Sequence, residues 1–144
     1  MTAPLICLTL FALWTVSLLM IGVGPYRFFQ VLVHKAKPNS FTPGTPHGPD
    51  WYQRLMRAHM NCVENLPVFA SLVLVGHLAG LRDGTFAVLC QVFVAARACQ
   101  TVAHLSSGRS AVVNVRFAFF LVQLTVYLLL GWMLLTAPAG YAPV

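Results

Sequence analysis

Four long apolar runs, at about residues 4–24, 57–80, 85–105 and 112–136, leave this chain few ways to fold. Each is close to the ~20 residues that a helix needs to cross the hydrocarbon core of a bilayer. Composition agrees: hydrophobic residues make up 58% of the chain and charged residues 8%, against about 25% charged in a typical soluble domain. So few charges cannot coat a water-facing surface. The expected fold is all-α, a four-helix transmembrane bundle formed by one domain over 1–144, with residues 26–56 as a cytoplasmic loop. The first run lacks the basic start and small-residue cleavage site of a signal peptide, so it is expected to stay as a helix.

Charge sets the expected orientation. With four spans, the 26–56 and 106–111 loops share one side, and that side with its helix ends carries Arg27, Lys35, Lys37, Arg54, Arg57, Arg109 and Arg116. The opposite side has both termini and a short turn with Arg82 and Asp83. The positive-inside rule places the basic loops in the cytoplasm and the termini outside or in a lumen. A net charge of +6 raises the question of nucleic acid, but the basic residues track helix ends. Anionic lipid headgroups are the partner that suits them. The stretch KPNSFTPGTPHGPDW, at 37–51, is too rich in proline and glycine for regular structure and is expected to lie over the helix ends.

Cys7, Cys62, Cys90 and Cys99 form no C-x-x-C pair, and all lie in apolar runs. They read as buried free thiols. The five histidines show no zinc-type spacing, so no metal site is expected.

Polar residues inside the runs carry the functional signal. A charge at membrane depth costs about 2.5 to 3.5 kcal/mol on insertion scales, so each needs a partner or a purpose. Arg57, Asn61 and Glu64 recur at i, i+4 and i+7, one face of a helix. Arg97, Gln100 and His104 recur at i, i+3 and i+7 in the next run. Counted from the cytoplasmic helix ends, Glu64 and Arg97 fall at the same depth, roughly 10 Å down at 1.5 Å per residue. If the stripes face each other, the two should form a bidentate ion pair. A pair of helices needs only one polar clasp. Six polar groups at one level, with Arg116 opening the fourth run, suit a cytoplasm-facing cleft for a small polyanion.

These residues bear a resemblance. RLMRAHMNCVENLPVF is similar to the second-helix signature of the MAPEG family, the membrane-associated proteins of eicosanoid and glutathione metabolism, and Arg57, Ala58, Asn61, Glu64, Pro67 and Phe69 fit it. VFVAARACQTVAHL resembles the family's third helix, with Arg97 as its arginine, and NVRFAFF resembles the start of its fourth. The nearest likeness is to bacterial-type members resembling microsomal glutathione transferases. The resemblance implies a homotrimer with glutathione as co-substrate, bound between protomers by Arg57, Asn61, Glu64, Arg97, Gln100, His104 and a first-helix contact, Arg27. It implies Arg116 as the arginine that stabilises the glutathione thiolate, with Arg109 as a rival, and a hydrophobic electrophile or lipid hydroperoxide as second substrate. The chain departs from the family's pattern at Gln100 and His104, where His or Tyr and then Tyr are usual, and at Phe120, where active members often have tyrosine. A non-catalytic lipid-binding or scaffold protein of the same family is the alternative. A proton-coupled transporter using Glu64 is a third reading, opposed by the expected pairing of Glu64 with Arg97.

Overall fold

The computed structural model describes residues 1–41, 47–81 and 83–137. Arg82, loop residues 42–46 and the terminal residues 138–144 lie outside them. Helix α1 (Ala3–Ser17) starts with a proline in its first turn, where the missing N–H is not needed. It passes without a break into a π-helical stretch, Leu18–Val23, and then into α2 (Gly24–Leu32). In that wide stretch the backbone N–H of Gly24 reaches the carbonyl of Leu19, five residues back. Helices α3 (Asp50–Leu78), α4 (Gly84–Ser106) and α5 (Ser110–Thr136) complete the chain. Among the described residues there are therefore four helical spans long and apolar enough to cross a membrane, Ala3–Leu32 being the first. It is an integral, multi-pass membrane protein.

Two expected boundaries move. The first helix was expected to end near residue 24, but Pro25 falls in the first turn of α2, where a proline is tolerated, and the helix runs on to Leu32. The second was expected to begin near residue 57, but Asp50 opens it behind Pro49. The connection between the two helices thus shrinks from 26–56 to about 33–49, and its described residues include a 3-10 turn at Pro38–Ser40. Two helices end in matching caps. His34, at φ 55°, follows α2, with Lys35 N–H on the Gln30 carbonyl and His34 N–H on that of Val31. Gly80, at φ 70°, does the same after α3, with Leu81 N–H on Gly76 and Gly80 N–H on His77. Both satisfy carbonyls that a helix end leaves open.

An aromatic hub ties the spans together. Phe69 of α3 stacks on Phe93 of α4 at 4.2 Å, and Phe11 of α1 meets both edge-on at 5.9 and 5.5 Å. Tyr127 of α5 lies 4.9 Å from Phe93, so all four spans contribute a ring. Each such pair adds about 0.5 to 1.5 kcal/mol beyond the burial of its area. Gly76 lets α3 approach α4, since a Cβ there would stand 2.6 Å from Phe86 Cζ. The outer surface is apolar, with Leu13, Ile21, Trp132 and Leu135 exposed, as suits a lipid-facing wall. Cys7, Cys62 and Cys90 are buried free thiols, whereas Cys99 is exposed on the outer side of α4, contrary to expectation.

Candidate functional site

Five polar side chains of α4 and α5 form one connected set. Arg97, 2% exposed, donates from Nη1 to Gln100 Oε1 at 2.9 Å. The same oxygen accepts from Gln123 Nε2 at 3.1 Å. Gln100 Nε2 donates in turn to the backbone carbonyl of Arg116 at 3.0 Å. Nη1 of Arg116 lies 3.1 Å from His104 Nδ1. His104 Nε2 lies 3.2 Å from the Asn61 amide nitrogen, which joins α3 to the set. Helical spacing explains the geometry: Arg97, Gln100 and His104 line one face of α4, and Arg116 and Gln123, seven apart, line the facing side of α5.

Arg97 is held on three sides yet remains electrically open. Its guanidinium carbon sits 5.8 Å from the centre of the Phe11 ring. Thr101, whose hydroxyl donates to the Arg97 carbonyl, also receives the Trp14 indole N–H at 3.4 Å. Nε and Nη2 of Arg97 are buried and have no hydrogen-bond partner, nor has Gln123 Oε1. Buried donors of this kind are rare and costly, because an unmade hydrogen bond forfeits about 1 to 3 kcal/mol of solvation.

The expected ion pair is not there. Glu64 is exposed on α3, and although its charge is close enough to act on Arg97, the only hydrogen bond of that guanidinium goes to Gln100. The depth argument fixed the height of each residue but not its direction around the helix. The start of α3 at Asp50 also changes the count. Glu64 is fourteen residues from the helix start, about 21 Å along the axis. Arg57 is exposed too and folds back, with Nε donating to the carbonyl of Gln53 at 3.3 Å. Of the α3 stripe, only Asn61 meets α4.

Arg27 stands apart from this set. Its Nε donates to Tyr52 Oη at 2.8 Å, its Nη2 lies 3.7 Å from Met56 Sδ, and its guanidinium carbon is 5.3 Å over the Phe41 ring. Arg109 is the exposed N-cap of α5: its backbone N–H donates to Ser107 Oγ and its carbonyl accepts from Val112 and Val113, while its side chain makes no capping hydrogen bond.

With that geometry in view, comparison with known families is decisive at the level of the whole chain: the model of the MAPEG family matches residues 4–136. The chain belongs to the MAPEG family. No curated protein matches it. The three α3 residues singled out in the sequence are split in the structure. Asn61 is joined to the α4–α5 set, while Arg57 and Glu64 face outward.

Sequence reasoning missed the polar contacts that three further side chains make in this MAPEG bundle. Gln123 is 1% exposed, and its place seven residues after Arg116 in an apolar run was the available signal. Asn65 and Tyr127 form a second α3–α5 contact. The tyrosine hydroxyl is 2.9 Å from the Asn65 carbonyl oxygen and 3.1 Å from its Oδ1.

Proposed function

We propose that this MAPEG protein is a glutathione-dependent membrane transferase or peroxidase that acts on hydrophobic electrophiles. The observation that carries the reading is Arg97, a buried guanidinium with two unpartnered donors, linked through Gln100 to Arg116. Donors so placed suit a carboxylate-bearing ligand, and glutathione has two carboxylates, an ammonium and a thiol. In this reading Arg97 and Arg57 take carboxylates, Glu64 receives the ammonium, and Asn61, Gln100 and His104 supply hydrogen bonds. Arg27 contributes only from the mouth, since Tyr52 and Met56 hold it.

Arg116 is the activating group. It is half-buried and linked to the set by both its backbone and its guanidinium, whereas Arg109 is exposed ahead of α5. A thiol with an ordinary pKa of ~8.5 is mostly protonated at neutral pH, and an adjacent guanidinium favours the thiolate. The sulfur then attacks an electrophilic carbon and its leaving group departs with the bonding pair. With a hydroperoxide, the sulfur takes the terminal oxygen and the alkoxide leaves. A second glutathione then converts the sulfenic acid to a disulfide, releasing water.

The outward face of α3 supports assembly as a homotrimer. A carboxylate at mid-helix facing hydrocarbon would cost about 2.5 to 3.5 kcal/mol. A neighbouring protomer would cover Glu64 and Arg57 and close the cleft from the other side. Each subunit is a single domain over 1–144, with the α2–α3 connection (about 33–49) and the α4–α5 connection (107–109) cytoplasmic, termini outside or lumenal, and membrane lipids around it.

Phe120 favours the second reading, a non-catalytic lipid-binding or scaffold protein, because an exposed phenyl ring there can donate nothing to a sulfur. Thiolate absorbance in the ultraviolet separates the two. Glutathione added to the purified protein at neutral pH should raise the thiolate band, and Arg116→Ala should return it toward the ~3% ionised that a thiol of pKa ~8.5 shows at pH 7. Binding without a thiolate band would sink the enzyme and leave the scaffold. Loss of the band in Arg109→Ala instead would move the catalytic role to Arg109.

A further inference from the structure

The imidazole of His104 stands between two nitrogens, Arg116 Nη1 at 3.1 Å from Nδ1 and the Asn61 amide nitrogen at 3.2 Å from Nε2. A neutral imidazole has one N–H and one lone pair, so it accepts only one hydrogen bond. An imidazolium accepts none. A guanidinium can only donate, which leaves one assignment for the Arg116 contact: Nδ1 is bare and accepts. The ring proton is then on Nε2, facing Asn61.

Asn61 is the member of the trio that can adapt. A half-turn of its terminal torsion exchanges amide oxygen and nitrogen, and complementarity with the neighbours selects between the two. With Oδ1 turned toward α4, His104 Nε2–H donates to it. The hydrogen bonds then run in one sense, from Arg116 to His104 to Asn61. The Asn61 amide N–H groups are freed for an acceptor on the half-exposed side of that residue.

We propose that His104 is a positioning residue for Arg116: a neutral imidazole protonated on Nε2, whose bare Nδ1 holds the guanidinium and whose N–H is held by the Asn61 carbonyl. The choice of a neutral acceptor matters. A carboxylate in that place would orient Arg116 but also cancel its charge, and with it the field that favours a thiolate. His104 fixes the direction and leaves the charge in force. Gln100 secures the other end of the residue through its backbone carbonyl, so Arg116 is held at two points. The catalytic consequence rests on the reading of Arg116 given above, while the tautomer and the amide orientation rest on hydrogen-bond complementarity alone.

Nitrogen NMR of protein labelled at histidine, in lipid nanodiscs, tests the tautomer without glutathione. One imidazole should show a bare Nδ1 and a protonated Nε2, and that pair of signals should vanish in His104→Asn. An imidazolium, or a proton on Nδ1, overturns the proposal. Glutathione thiolate absorbance tests the role. His104→Leu should lower it about tenfold or more, with glutathione affinity by calorimetry changed far less. His104→Asn, which keeps an acceptor near the place of Nδ1, should retain a signal well above that of the leucine variant. Equal loss in both variants, or no loss in His104→Leu, overturns the positioning role. Should His104→Leu not fold, Arg116→Leu serves in its place, with a mixture of tautomers expected once the guanidinium no longer fixes Nδ1 and an unchanged spectrum as the overturning result. A wild-type protein with no thiolate band fails the glutathione reading alone, and the spectrum still decides His104.

Discussion

Between α4 and α5, Arg97, Gln100, Gln123, Arg116 and His104 are joined by hydrogen bonds and mostly buried, whereas on α3 Arg57 and Glu64 face outward with no bond between helices. Both regions carry charge at membrane depth, so both answer the same energetic demand. The first answers it within one chain. The second is unfinished in a single protomer, and in the trimer reading it is completed by a neighbour. The lesson is that the α4–α5 set is preorganised within one chain, while the α3 face, in the trimer reading, is completed only on assembly. One half of the cleft can therefore be damaged without harming the other.

The sharpest way to break this contrast is Glu64→Leu. If the α3 face is an interface, removal of the carboxylate should weaken protomer association by about 2.5 to 3.5 kcal/mol, because the lone protomer no longer strands a charge in lipid. Sedimentation in detergent and cross-linking in membranes would show it. An unchanged oligomer would place Glu64 against lipid or water instead.

Arg97→Met addresses the other half. The guanidinium keeps two donors unsatisfied, so a flexible apolar side chain of similar length should leave thermal stability equal or higher. Glutathione affinity should nevertheless fall at least about tenfold, or 1.4 kcal/mol, in calorimetry. A marked loss of stability would make Arg97 a structural clasp rather than a ligand group. A smaller effect is expected for Gln123→Leu, which removes one interhelical hydrogen bond worth about 0.6 kcal/mol. Denaturation in mixed micelles should register it, with little change in the oligomer.

The smallest effect lies at the opposite end of the bundle. Asp83 caps α4, accepting from the N–H groups of Thr85 at 2.6 Å and Phe86 at 3.3 Å. Hydrogen bonds, chiefly with Thr85, hold its carboxyl below the ordinary value of 3.8. A depressed folded value means that the cap contributes fully above about 3.8 and loses that contribution as pH falls through the lower folded value. Protection of the first turn of α4 against hydrogen exchange, taken relative to the intrinsic rate at each pH, should fall on acidification across that window, and Asp83→Ala should remove the dependence. Persistence of the dependence in the variant would assign it to another group.

Legibility in the sequence followed the same division. Length and hydropathy foretold the four spans because a bilayer imposes them on any chain. Asn61 and His104 were each legible as stripe members, but their contact was not singled out and emerges only in the structure. Glu64 with Arg97 came from facing stripes and failed, since equal depth says nothing about direction around a helix axis. Gln123 went unread because one amide among apolar residues invites no pairing until α5 is seen beside α4. The Phe11, Phe69 and Phe93 hub was also beyond reach, for any apolar side chain satisfies the pattern at those positions. The passage of α1 into α2 was hidden by Gly24 and Pro25, which read as a helix end.

That passage has a consequence for how the first span tolerates change. A π-helical stretch holds more backbone per turn than the α-helices on either side. Deleting one residue between Leu18 and Val23 lets i→i+5 hydrogen bonds close to i→i+4 while the flanking faces keep their bearing. The span can thus be shortened by one residue with Phe11 still directed at the hub and Arg27 still on Tyr52. The wide turn works as an expansion joint, taking up a change of length that a regular helix would turn into a rotation.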